Sequence, residues 1–365
     1  MREIALPDFP WDTLAPYGDK ARAYPGGIVD LSIGTPVDST PEVVQEAVRK
    51  AADAPGYPPT IGIPPLRSAL VEAAERLYGI TGLTEDMVLP VIGTKEFIGT
   101  LPTLLGIGAG DTVMIPELAY PTYAVSAAFA GAESIAADGY TRLGPAPVAL
   151  CWVNSPSNPT GRVLGADHLR KMVDESRRRG TILASDECYL DLYYGDERPL
   201  SVLHPDVRGD SFDGVLAVHS LSKRSNFAGL RGGFVMGDPA LISRLTEVRK
   251  HLGFLVPRPV QEAMIAAYSD DAHVEQQRAR YAQRRRVLST ALIDAGFTID
   301  HSEAGLYLWS TRGEDCWETV DFLATRGILV APGSFYGPTG AQHVRVALTG
   351  TDDAIAEAAR RLRAS

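Results

Sequence analysis

Asn158, Asp186, Lys223 and Arg231 sit beside short apolar runs, and each brings chemistry those runs lack. They fall in the stretches Asn154-Ser155-Pro156-Ser157-Asn158-Pro159-Thr160-Gly161, Asp186-Glu187-Cys188-Tyr189 and Ser220-Leu221-Ser222-Lys223, the last followed by Gly229-Leu230-Arg231-Gly232-Gly233. A fourth stretch, Gly93-Thr94-Lys95-Glu96, opens a helix pattern. Taken alone, each has an ordinary reading. Asn-Pro-Thr-Gly is a turn, an Asp at a strand end caps a helix, and Ser-x-Ser-Lys suits a surface loop. Gly-Thr is a helix start, although its free N–H groups also suit an anion. Taken together, they form one set. Gly93, Thr94, Ser220, Ser222 and Arg231 supply the N–H groups, hydroxyls and cation that an anionic cofactor requires. A pyridinium nitrogen stays protonated beside a buried carboxylate, and Asp186 fits that role. Asn158 and Tyr189 are neutral donors for a phenolate-like ring oxygen. Lys223 could form an imine with a carbonyl cofactor.

The elements that must position these residues can be read from pattern. Short apolar runs bounded by turn residues occur at 88–92, 112–116, 148–153, 181–185, 214–219 and 232–236. Helical stretches at 94–105, 121–130 and 166–179 separate most of them. This alternation predicts an α/β unit with a mainly parallel sheet sandwiched by helices. Ligands of such sheets bind beyond the carboxyl ends of the strands, where the four stretches lie. Before this unit come an irregular arm of about 35 residues rich in Pro and Gly, a helix over 41–53 with Thr40 as its N-cap, and a helix over 65–78. After it come helices over 239–253 and 258–295, then shorter strands near 297–300, 305–311, 327–331 and 343–348. A helix over 352–363 closes the pattern, so the C-terminal part reads as a smaller α+β domain.

Bulk properties narrow the class of protein. The 365 residues are 45% hydrophobic and 22% charged, ordinary values for a globular enzyme. Cys151, Cys188 and Cys316 show neither a disulfide framework nor metal spacing, so no metal is expected. The sequence carries no secretory h-region and no apolar run long enough for a membrane span. With a formal charge of −10, neither nucleic acid nor membrane is an expected partner. A cytoplasmic enzyme is the expectation.

The combined motifs resemble class I/II aminotransferases, the fold type I enzymes that use pyridoxal 5'-phosphate (PLP). The similarity extends outward through Ile33-Gly34-Thr35-Pro36, then Tyr57 with Gly62 and Leu66-Arg67. It continues through Tyr120-Pro121 with Tyr123 and ends at Val344-Arg345-Val346-Ala347. The resemblance implies an aspartate-aminotransferase-like α/β fold. Its parts would be an arm at 1–37 belonging to the small domain, a large PLP-binding domain at 38–245 and a small C-terminal domain at 246–365. Lys223 would carry the cofactor as an imine, then act as base and acid for the proton shift. Asp186 would pair with the ring nitrogen, Asn158 and Tyr189 would contact the ring hydroxyl, and Tyr120 would stack on the ring. Gly93, Thr94, Lys95 through its backbone N–H, Ser220, Ser222 and Arg231 would hold the phosphate. Tyr57 would reach the phosphate of a neighbouring subunit, implying a homodimer with shared sites. Arg345 would clamp the substrate α-carboxylate, assisted by Gly34 and Asn158. His219 reads as packing inside a strand, and packing is also an adequate reading for Tyr307.

Three activities compete. A transaminase serves two amino donors at one site, a carbon–sulfur β-lyase eliminates a β-substituent with the same lysine, and a PLP-sensing domain would be fused to a DNA-binding module. The short arm disfavours the last. Within the transaminases, the arm motif from Leu6 to Asp12, the run from His251 to Gln261 and the stretch Ala331–Gly337 are similar to actinobacterial-type N-succinyldiaminopimelate aminotransferases. Glutamate and 2-oxoglutarate are then the expected amino-group partners, with aspartate or aromatic transamination as the alternative. So long a polyanionic substrate requires a second cationic anchor, for which Arg258, Arg22 and Lys20 are candidates.

Overall fold

Seven strands between residues 88 and 237 form one sheet, in the order Val88–Val91, Gly233–Gly237, Val215–Ser220, Ile182–Asp186, Leu150–Asn154, Thr112–Ile115, Glu133–Ala136. The computed structural model describes Leu6 and residues 10–363, so Pro7, Asp8 and Phe9 of the arm motif lie outside the described residues. Gly233–Gly237 runs antiparallel to both neighbours, and every other pair is parallel. The inner strands are buried along almost their whole length, which is why they read as continuous apolar runs. Helices cover both faces. Leu169, Met172 and Val173 pack on one side with Leu66 and Leu70, while Phe97, Leu101, Tyr123 and Ile242 pack on the other.

Register brings the informative residues together. Asn154 pairs with Asp186, and Asp186 pairs with Val218, two residues before Ser220. Three neighbouring strands therefore end at one level.

A separate core joins Leu14, Val29 and Leu31 of the arm to Leu288, Leu306, Val320 and Val346. It covers an antiparallel sheet ordered Ala331–Pro332, Val344–Ala347, Tyr307–Thr311, Thr298–Asp300. Val29–Asp30 pairs in parallel with Ile328–Leu329, which fastens the arm to this smaller unit.

Four expectations require correction. The arm is not irregular throughout: it contains a helix, Ala15–Arg22. The strand Glu133–Ala136 carried no apolar pattern because it lies at the sheet edge with all four residues exposed. The long helix expected over 258–295 is two helices, Arg258–Tyr268 and Ala272–Asp294. Thr40 does not cap the helix Glu42–Lys50; its hydroxyl donates to the Asn226 carbonyl at 2.9 Å. Since Val260, Met264 and Tyr268 pack into the core of the large unit, we propose that the division between units falls near Ser269. Among the described residues, no helix is long and apolar enough to cross a membrane.

Asp38 ties three segments together. Its carboxylate accepts from Arg284 Nη1 and Nη2 at 2.8 and 2.7 Å and from Gln277 at 2.8 Å, while Arg284 Nε reaches Asp352 at 2.7 Å. Burial pushes the Asp38 carboxyl up, but these partners outweigh it and hold the group below its ordinary value. Asp38→Asn should cost about 2 kcal/mol at neutral pH, between the exposed and buried ranges for an ion pair. A depressed carboxyl stabilises fully above its unfolded value of 3.8 and loses that contribution as pH falls through the lower folded value. Chemical denaturation across acid pH should show the gap between variant and parent closing. A gap of constant size would contradict this.

Candidate active site

The carboxyl ends of the three aligned strands and the start of the helix Thr94–Leu104 enclose a cavity of about 450 Å³. Gly34, Thr94, Lys95, Tyr120, Asn158, Asp186, Tyr189, Ser220, Ser222, Lys223, Arg231 and Arg345 all line it. Gly93 stands just behind as the N-cap of that helix at φ +77°, and a Cβ there would overlap the Arg231 guanidinium. Of the expected site residues, Tyr57 alone is elsewhere. It is 96% exposed in a separate surface cleft shared with Arg258.

Asp186 is buried at the end of its strand, yet it has no cationic partner among the described residues. Its Oδ2 accepts from the Tyr123 hydroxyl at 2.7 Å and its Oδ1 from the Cys188 N–H at 3.2 Å. Burial raises its carboxyl above the ordinary value, while the bonds from Cys188 and Tyr123 oppose the rise. A protonated ring nitrogen would supply the missing cation.

Lys223 lies on a one-turn helix, Leu221–Arg224, whose first N–H groups are capped by Ser220: its Oγ accepts from Ser222 N at 3.1 Å. The cap engages the Ser220 oxygen as an acceptor and leaves its hydroxyl proton for an anion. Lys223 Nζ donates to the Gly34 carbonyl at 2.6 Å and has no carboxylate partner among the described residues. Burial pushes this amine below the ordinary lysine value, which favours the neutral nucleophile needed for an imine.

Asn154 staples the turn that carries Asn158. Its Oδ1 accepts from Asn158 N at 2.8 Å, and its Nδ2 donates to the Asp186 and Pro156 carbonyls at 2.9 and 3.1 Å. The Asn158 side chain accepts from Arg345 Nη1 at 3.0 Å, which leaves its amide hydrogens for the cavity. Both Ser155–Pro156 and Asn158–Pro159 are cis. Tyr120 forms part of one wall, with its phenol pushed up to about 12 by burial. Arg231, at φ +62°, bonds only carbonyls among the described residues, those of Ala228 at 3.1 Å and Ile92 at 3.4 Å. Its charge therefore remains available for a phosphate.

Arg345 reaches the cavity from the small unit and is buried without a carboxylate partner among the described residues. Nη2 donates to the Ser32 carbonyl at 2.7 Å, and Nε has no partner among the described residues. The faces of Tyr307 and Tyr336 lie 4.0 and 5.0 Å from its guanidinium carbon. A buried cation in this state is a ready seat for a carboxylate.

Some residues were missed or demoted by sequence reasoning. Tyr123 appeared only as part of a motif, although its hydroxyl holds Asp186. Tyr307, read as packing, lines the cavity, as do Trp11 and Cys188. The proposed anchors Lys20 and Arg22 are engaged by Asp321 at 2.5 Å and Asp19 at 2.6 Å and do not line the cavity; Arg258 pairs with Glu262 at 2.6 Å. His219 does not line the cavity either; it contacts Glu187 at 2.9 Å and stacks on Phe234, in keeping with packing.

The family described as aminotransferase class I and II matches residues 27–362. The chain belongs to this family. It is 60% identical to a probable aminotransferase, Rv1178, from Mycobacterium tuberculosis, covering 98% of this chain and 85% of that one. It is 58% identical to OxyQ of Streptomyces rimosus, a 4-dedimethylamino-4-oxo-anhydrotetracycline transaminase, covering 99% of this chain and 100% of the relative. An LL-diaminopimelate aminotransferase from Gloeobacter violaceus is 32% identical, covering 95% of this chain and 93% of the relative. Among solved structures, an aminotransferase from Neisseria meningitidis superposes with a TM-score of 0.92 at 30% identity, covering 100% of this chain and 99% of that one. The aminotransferase therefore has the aspartate-aminotransferase-like fold type I, PLP as its cofactor and transamination as its activity. Bound PLP supplies an electron sink for the substrate α-carbon.

Asp186→Asn keeps the shape of that side chain and removes its charge, so kcat should fall by about two to three orders of magnitude. Tyr123→Phe deletes one hydrogen bond to the Asp186 carboxylate, which should raise its proton affinity. Steady-state rates across pH should show the acid limb of Tyr123→Phe displaced to higher pH. An Asp186→Asn enzyme of near-normal kcat would contradict the assignment.

Proposed function

We propose that this aminotransferase exchanges an amino group between glutamate and N-succinyl-2-amino-6-oxopimelate, forming N-succinyl-LL-diaminopimelate. Lys223 would move the proton, and Asp186, Asn158 and Tyr189 would orient the cofactor ring. Thr94, Lys95, Ser220, Ser222 and Arg231 would hold its phosphate beside the Gly93 turn. The observation that carries an amino-acid substrate is Arg345, a buried guanidinium with, among the described residues, an unbonded Nε and no carboxylate partner. It suits a substrate α-carboxylate, with Gly34 and Asn158 alongside.

Lys95 supports a second carboxylate. The resemblance implies a role mainly for its backbone N–H, yet Lys95 lines the cavity, is exposed and forms no ion pair among the described residues. Tyr57 and Arg258 share one surface cleft. An aromatic ring 96% exposed has almost no contact within its own chain, so the proposal includes a homodimer in which both residues approach the neighbouring site. Sedimentation as a monomer at assay concentration would remove that part.

OxyQ favours a second reading. A chain this similar aminates a bulky ring ketone, and aromatic walls at Trp11, Tyr120 and Tyr307 suit a flat substrate. A panel of amino donors with 2-oxoglutarate, together with ring ketones and glutamate, separates the two. Turnover of N-succinyl-LL-diaminopimelate well above aspartate and aromatic donors is the expected result. Activity confined to ring ketones would select the second reading, and pyruvate release from cystathionine would indicate a lyase. Lys95→Met should raise KM for the succinylated donor about tenfold with kcat nearly unchanged, the pattern of lost uniform binding. An unchanged KM would remove Lys95 as the distal anchor.

A further inference from the structure

Tyr189 and Tyr307 come from the two different units, and their hydroxyl oxygens lie 3.2 Å apart. Both residues are buried, at 6% and 3% exposure, and both line the cavity. Neither hydroxyl has another hydrogen bond among the described residues. Two O–H groups thus share a single bond. One proton lies between the oxygens, and the second belongs to whichever hydroxyl is the acceptor.

Surrounding groups fix which hydroxyl that is. The Tyr307 ring lies against Gly34, where an added Cβ would overlap the Tyr307 hydroxyl. Its face supports Arg345, whose guanidinium carbon lies 4.0 Å from the ring centre. Tyr307 is therefore boxed in by backbone and guanidinium. The titratable groups facing the pair are Cys188, Lys223 and Arg345, with Tyr120, Tyr281 and Tyr336 farther around Tyr307. None of these is a carboxylate, and among the described residues no carboxylate is hydrogen-bonded to either hydroxyl to take the free proton. On the reading of Tyr189 as partner of the cofactor's ring oxygen, that oxygen would be the acceptor that remains.

We propose that Tyr307 is a positioning residue: its hydroxyl donates to Tyr189 and thereby directs the Tyr189 proton at the ring oxygen of PLP. The inference rests on the reading of Tyr189 as that oxygen's partner. A phenol that accepts one hydrogen bond becomes a stronger donor of another. The Tyr307 hydroxyl thus strengthens the bond to the ring oxygen without touching the cofactor, and its ring separately supports Arg345.

The test reads the cofactor's absorbance rather than turnover. The pH midpoint of the Lys223–cofactor band is titrated in the parent holoenzyme, Tyr307→Phe, Tyr189→Phe and the double variant. A hydrogen bond to the ring oxygen favours the deprotonated linkage, so weakening it raises the midpoint. Tyr307→Phe should raise the midpoint by about half a unit, and Tyr189→Phe should raise it further. The double variant should match Tyr189→Phe, because Tyr307 acts through that residue. Tyr307→Phe retains the aromatic face, so KM for the amino donor should change less than about twofold. Tyr307→Leu should raise that KM about fivefold through loss of the cation–π contact. A normal midpoint in Tyr307→Phe beside a shifted Tyr189→Phe would overturn the proposal alone. No shift in either would overturn the Tyr189 reading with it, and additive shifts in the double variant would show that Tyr307 does not act through Tyr189.

Discussion

The site is organised around charge held out of water without an opposite charge. Among the described residues, Asp186 and Arg345 are buried with no ion-pair partner, and Lys223, whose neutral amine burial favours, bonds only a backbone carbonyl. Leaving an ion in this state costs several kcal/mol, so the fold retains it only where something else supplies the missing half. On the proposed reading the missing halves would form a matched set: a protonated ring nitrogen for Asp186, a carbonyl carbon for Lys223 and a carboxylate for Arg345. PLP and an amino-acid substrate present those three groups.

The rest of the fold keeps these groups fixed. Parallel pairing brings Asn154 and Asp186 to the same level, and Asn154 then holds both the Asp186 carbonyl and the turn bearing Asn158. Ser220 caps the turn that presents Lys223. From the smaller unit, Arg345 grips Asn158 and Tyr307 meets Tyr189, so the two units are joined by direct contacts at the cavity. The Asp38–Arg284–Asp352 cluster fastens the junction between arm, long helix and C-terminal helix. Catalytic geometry here is a property of two units packed together.

Much of this was legible in the sequence because buried parallel strands and the turns that follow them leave strong local signals. Thr94, Asn158, Asp186, Ser220 and Lys223 each follow an apolar run or open a helix, and all five line one cavity. What escaped has a common physical reason: it depends on partners distant in the chain. Tyr123 looks like an ordinary helix aromatic until Asp186 is placed beside it. Tyr307 lies in an apolar strand, and only packing against Gly34 and Tyr189 distinguishes it from core. Glu133–Ala136 is an exposed edge strand with no apolar alternation to detect. Lys20 and Arg22 were plausible by charge alone, yet nearby carboxylates already engage them.

The most direct measurement of the central claim is chemical. Reduction of the holoenzyme with borohydride followed by peptide mass spectrometry locates the lysine that carries the cofactor. Modification of the peptide containing Lys223, with no reducible linkage in Lys223→Ala, is the predicted result. A pyridoxyl group on Lys95 or another lysine, or a reducible linkage that survives Lys223→Ala, would contradict the account.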